Sequence, residues 1–242
     1  MLQLPKYSMG TGDRFAHQGR AQLQAFRLAK EKGVTVAPVW NKSFREHSIV
    51  HSHPPDVRTE ADAAVRAGGW SGPYFVDADH ISLKTVDLFM ASSDFFTLDV
   101  ADFIGKSAPD AEVERFVKRH SDLQGEQAIP GLTQPLQISA ATLAEAGRNY
   151  LLAVREAGEI YRRILAAKGE GAFVVEVSMD ECAAPQTPAA LFLILAMIAD
   201  EKIPAQTIAP KFSGRFNKGV DYVGPVSLFA QEFEQDVAVI AH

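Results

Sequence analysis

Short runs of β-branched and aromatic residues alternate along the chain with stretches whose apolar positions recur every three or four residues. That alternation predicts βα units around a parallel sheet. Lys6–Met9 leads into a glycine-rich turn, and Arg20–Lys32 sets Ala21, Ala25, Leu28 and Ala29 on one helix face before Gly33 ends it. Val34–Trp40 is a second strand, followed by a polar loop to Pro55 and a helix over Asp56–Arg66. Tyr74–Val76 with a helix over Leu83–Ala91 makes a third unit, and Phe95–Val100 opens a fourth. From Ile104 to about residue 140 the period fails, apart from an amphipathic piece aligning Val113, Phe116 and Val117, and this predicts an insertion. A long helix over Thr142–Ala167 then leads into a fifth strand, Ala172–Ser178. Pro188 opens a helix whose Leu191, Ile194, Leu195 and Ile198 form one stripe. Ala205–Ala209 is a sixth strand, and an amphipathic helix begins near Val226.

About six units fall short of the eight that close a TIM-type (β/α) barrel. The reading is therefore one barrel domain over residues 1–242, truncated at the C-terminus, with an insertion around 104–140. An open doubly wound sheet is the alternative; acidic residues near the carboxyl ends of the third, fourth and fifth strands favour the barrel.

Composition narrows the function. A net charge of −6 gives no general electrostatic reason to bind nucleic acid or an anionic membrane surface. The longest apolar run, Ala189–Ala199, is about half a membrane span. The single cysteine, Cys182, can form no internal disulfide, and the expected location is cytoplasmic. Self-association into a homo-oligomer is compatible with all of this. An anionic ligand would need local cations, and three clusters offer them: Arg14 after the first strand, with Asp13 beside it as a further substrate-binding candidate, Lys42 and Arg45 after the second, and Lys211, Arg215 and Lys218 in a loop with two glycines after the sixth.

Two further positions suggest catalysis. Asp79 and His80 are adjacent after the third strand, where one can ligate a metal while the other takes a proton; equally, Asp79 can cap the next helix. Glu176 interrupts the apolar strand Phe173–Val177, where a carboxylate is costly unless paired or used. Strand alternation could instead turn it outward, toward a helix-borne cation. Gly10-Thr-Gly-Asp-Arg14 lacks the third glycine and acidic partner of a dinucleotide fingerprint, and His47, His51 and His53 read as loop residues.

Taken together, Asn41-Lys-Ser-Phe-Arg-Glu-His-Ser48, Val76-Asp-Ala-Asp-His-Ile81, Phe95-Phe-Thr-Leu-Asp-Val-Ala-Asp102, Glu176-Val-Ser-Met-Asp-Glu181 and Ala209–Tyr222 resemble the tagaturonate epimerase family across nearly the whole chain. Pro225, where an acidic residue would be expected, departs from the pattern. The resemblance implies a uronate substrate, interconversion of tagaturonate and fructuronate, and a divalent metal cation. It implies Asp79 as proton acceptor, Glu176 as proton donor and His80 as a metal ligand, with further ligands beyond His242. Two other readings stay open: a metal-dependent aldolase or isomerase acting on another sugar acid or sugar phosphate, and an incomplete half that serves only in binding or assembly.

Overall fold

The computed structural model describes residues 2–180, 182, 184–217 and 220–242. Six strands form one sheet: β1 (Ser8–Thr11), β2 (Ala37–Ser43), β3 (Phe75–Ile81), β4 (Phe95–Asp99), β7 (Val174–Ser178) and β8 (Thr207–Ala209), hydrogen-bonded in that order. The first four are parallel neighbours in register, with Thr11 beside Trp40 and Asn41 beside Asp77. Between β4 and β7 the chain makes β5 (Gly125–Gln127) and β6 (Leu136–Ile138), which pair only with each other, antiparallel.

This overturns the barrel. Closure requires the first strand to pair with the last around a fixed circumference. Here β1 and β8 are the two edges of an open, curled parallel sheet, and no ladder joins them.

The chain divides into two compact units. The first comprises Met1–Asp99, Glu159–Val177 and Pro204–Ile208; the second comprises Val100–Gly158, Ser178–Ile203 and Ala209–His242.

In the first unit, α1 (Gly19–Glu31) and α3 (Pro54–Gly68) cover one face of the sheet. Trp40 and Val76 pack there against Leu23 of α1 and against Val57, Ala61 and Ala64 of α3. Each large apolar side chain so buried contributes roughly 1.5–3 kcal/mol. Trp40 also donates its indole N–H to Gln22 Oε1 at 3.0 Å. Asp94 ties the pieces together, accepting Val76 N–H at 2.8 Å on one oxygen and Arg58 at 2.6 Å on the other. On the opposite face, Ala37, Val39, Phe75, Phe95 and Val174 form a second apolar cluster joined by Leu2 and Leu4.

The second unit holds α5 (Asp110–Arg119), the first part of α6 (Ala140–Lys168), α7 (Pro188–Asp200) and α8 (Val226–Ala241). Thr187 caps α7 by accepting Ala190 N–H, and Pro188 occupies its first turn, as the sequence pattern predicts. Rings of Phe212, Phe216, Tyr222 and Phe229 cluster beside α8.

Candidate active site

Parallel strands in register put every second residue on one face, so the face that starts apolar can be followed toward the carboxyl ends. Val39 gives way to Asn41 and Ser43, Phe75 to Asp77 and Asp79, Phe95 to Thr97 and Asp99, and Val174 to Glu176 and Ser178. One face of one sheet therefore turns from hydrocarbon to carboxylate within two residues. Thr97 Oγ1 lies 3.2 and 3.0 Å from the two oxygens of Asp77 and 3.4 Å from Glu176 Oε1, which fixes Glu176 on the same face as the aspartates. The outward-facing alternative for Glu176 does not hold. Exposure rises toward the strand ends: Asp77 is buried, whereas the side chains of Asp79 and Asp99 are 16% and 27% exposed.

His80 joins this group through an irregularity. Ala78 stands opposite Phe96 and Ile81 opposite Leu98, so two residues, Asp79 and His80, face the single Thr97. This is a β-bulge, and His80 adopts φ of +50°, which a non-glycine residue takes only at a cost. In a regular strand His80 would face away from Asp79. Here its Nε2 is 3.9 Å from Asp79 Oδ1 and its Nδ1 is 3.5 Å from Asp99 Oδ2. The helix-capping alternative for Asp79 is not built either, because Ser82 N–H donates to Thr85 Oγ1 at 3.0 Å ahead of α4 (Val86–Phe89).

Three carboxylates close together cannot all ionise. Burial, and behind it the charges of Asp79 and Glu176, push the Asp77 carboxyl well above the usual range; the bond Thr97 would donate to the ionised form opposes this without cancelling it.

Lys42 sits on the helix-covered face of β2, buried, with its ammonium donating to Arg14 O and, at 2.7 Å, to Ser52 Oγ. Ser52 Oγ is 2.9 Å from His47 Nδ1 on α2 (Phe44–Val50). A hydroxyl that accepts from lysine gives its own hydrogen to Nδ1, which places the His47 proton on Nε2. Burial, then the Lys42 charge, lowers the His47 pKa to about 4. Burial likewise lowers that of Lys42, against the pull of Glu46 and Asp13.

Arg14 is exposed and bonds Glu46 at 3.4 Å, while Glu46 closes a capping box with Ser43. Asp13 accepts from the backbone N–H groups of Phe15, His17 and Gln18. Burial would raise its pKa, but those bonds lower it. Its carboxylate thus closes the turn into α1. Gly12 in that turn has no room for a side chain, since a Cβ would meet Asn41 O at 2.7 Å. Arg45 is exposed on α2. His51 ends α2 in the left-handed conformation and His53 precedes α3.

Of the loop after β8, Lys211 donates its backbone N–H to Gln186 at 2.7 Å and Arg215 bridges Val223 antiparallel, both within the second unit. Lys218 lies outside the described residues.

Sequence reading gave no role to Asp77, Thr97 or Asp99. Their signal was present as the parallel progression Phe75, Asp77, Asp79 against Phe95, Thr97, Asp99, but it needs the register to be read. For a cation, imidazole and carboxylate are suitable donors. Among the described residues, however, no three His, Cys, Asp or Glu side chains converge to hold one. His80 could supply a single ligand, and this chain's described residues do not complete a coordination shell.

The sequence profile of the tagaturonate epimerase family matches residues 1–242. A tagaturonate/fructuronate epimerase of Thermotoga maritima is 25% identical over 244 residues, covering 96% of this chain and 49% of the relative. Fructuronate-tagaturonate epimerase of Cohnella laeviribosi in a glycerol complex superposes with a TM-score of 0.81 at 24% identity, covering 99% of this chain and 51% of that one. Its native structure gives a TM-score of 0.79, with 100% and 51% covered. The chain spans about half the length of these relatives. With the family profile matched from end to end, this chain belongs to the tagaturonate epimerase family.

Proposed function

We propose that the chain carries the acid–base face of an epimerase that interconverts D-tagaturonate and D-fructuronate. The observation that supports this best is the placement of Asp79 and Glu176 on the same carboxyl-lined face, on β3 and β7, the two strands that flank β4. The two uronates differ at a carbon β to the ketone, so removal of a single proton α to the carbonyl cannot invert it. Asp79 takes the proton from the hydroxyl on that carbon, and the neighbouring carbon–carbon bond breaks to leave an aldehyde. Glu176 gives its proton to the ketone oxygen as charge develops there. The aldehyde turns, the bond re-forms on its other face, and both protons return.

The divalent cation expected from the resemblance would add Lewis-acid polarisation, with His80 as one ligand. Since the described residues do not complete its shell, no step is routed through it. Arg14 and Arg45 are the proposed partners of the uronate carboxylate; Lys42 and Asp13 support the loops that carry Arg14. A second reading follows from the half-length match: the chain binds or assembles with further polypeptide and turns over nothing alone.

Proton NMR of the protein incubated with each uronate tests the proposal. Appearance of the other epimer supports it, whereas turnover of phosphorylated ketoses but not uronates overturns the substrate class. Inertness toward every substrate, together with concentration-dependent association, supports the assembly reading.

A further inference from the structure

Asp77, like Asp99, has no part in the scheme above, and it is the most buried acid of the cluster. It is buried at the inner end of the carboxyl-lined face, and Thr97 Oγ1 lies between it and Glu176, 3.0 Å from the nearer Asp77 oxygen and 3.4 Å from Glu176 Oε1. A hydroxyl has one hydrogen to give and lone pairs to accept with. It cannot donate to both carboxyls at once. When its hydrogen points to Glu176, the contact with Asp77 is favourable only if Asp77 carries a hydrogen and donates it; an ionised Asp77 would leave two electron-rich oxygens facing each other.

The surroundings decide which arrangement holds. Asp79 on the same strand and Glu176 on β7 both add negative charge near Asp77, while Thr97 on β4 is neutral and His80 opposes them less strongly. The most buried member of such a group is the one that keeps its proton.

We propose that Asp77 is a positioning acid: as the neutral carboxylic acid it donates to Thr97, turning the Thr97 hydrogen onto Glu176 Oε1. The inference rests on the epimerase reading for its consequence, though not for its geometry. Held at Oε1, Glu176 keeps one orientation and exchanges protons with substrate through Oε2. Asp77 touches no reacting atom and transfers no net proton; it acts through Thr97.

Carboxyl ¹³C NMR of protein labelled at aspartate and glutamate tests this, with the Asp77→Asn spectrum identifying the Asp77 line by its loss. The Asp77 carbon is expected at its protonated shift at pH 7. In Thr97→Val, which keeps shape but loses the hydroxyl, the Glu176 titration should move to higher pH, with kcat down roughly tenfold and KM unchanged. Asp77→Asn, whose amide still donates to Thr97, should leave the Glu176 titration in place and kcat within about threefold. An Asp77 carbon at its carboxylate shift at pH 7, or a Glu176 titration unmoved in Thr97→Val, overturns the proposal. The wild-type spectrum needs neither a folded variant nor turnover. An inert protein with the expected spectrum would therefore sink the epimerase reading and leave the hydrogen-bonded chain standing.

Discussion

On the helix-covered face of β2, Lys42 and His47 are buried and joined through Ser52: the ammonium donates to a carbonyl and a hydroxyl, the hydroxyl serves the imidazole Nδ1, and Nε2 finds no partner among the described residues. On the other face of the sheet, Asp77, Asp79, Asp99 and Glu176 share space with Thr97 and His80, with like charges crowded together and the outer side chains reaching solvent. Both regions bury ionisable groups. They differ in what the burial accomplishes. The first ties a lysine, a hydroxyl and one imidazole nitrogen together and fixes loops; the second leaves acids in conflict over protons, which is the condition that acid–base chemistry needs.

The largest effect that would sharpen this contrast is Asp79→Asn. Turnover of either uronate should fall roughly 10²- to 10⁴-fold, with unchanged far-ultraviolet dichroism. Near-normal rates would place the base elsewhere and erase the distinction between the two faces.

His47 tests the other side. Its folded pKa of about 4 lies below the ordinary 6.5, so its contribution to stability is complete above pH 6.5 and is lost as pH falls toward 4. Across that window wild-type protein should lose on the order of 3 kcal/mol that a His47→Leu variant does not lose, as read from urea unfolding. Equal losses in both would mean that His47 is not held neutral.

A smaller effect is expected at Asp99. If its carboxylate orients His80 from 3.5 Å, Asp99→Asn should lower kcat by about tenfold and leave stability alone. An unchanged kcat would confine the active group to Asp79 and Glu176. The smallest effect is at Arg45, exposed on α2. Arg45→Ala should change unfolding free energy by less than about 0.5 kcal/mol, and a raised KM for uronates is the one outcome that would give it a part in substrate binding.

The sequence made the βα order plain because each unit buries its own stripe, as with Leu191, Ile194 and Ile198 of α7 or Leu23 of α1. Closure was not legible, since whether β1 meets β8 depends on partners hundreds of atoms apart rather than on local period. The pair β5 and β6 was hidden too, each strand being only three residues long inside a loop of mixed composition. Among functional candidates, Glu176 stood out because an apolar strand rarely tolerates a carboxylate, and Asp79 and His80 because they are adjacent where a strand ends. Lys42 stood out as a cation in the loop after the second strand, but β2 runs on to Ser43, and since Trp40 faces the helices the alternation carries Lys42 with it. Thr97 and Asp99 attract no notice until the register sets them beside Asp77 and His80.

The extra residue in β3 makes the imidazole separable from the sheet that presents it. Were His80 excised as a single codon, Asp79 would stand squarely against Thr97 and Ile81 would keep its seat beside Leu98, healing the ladder without disturbing a neighbour. A nitrogen donor can thus be added to or subtracted from this rim by an insertion or deletion, an evolutionary route that substitution alone does not offer.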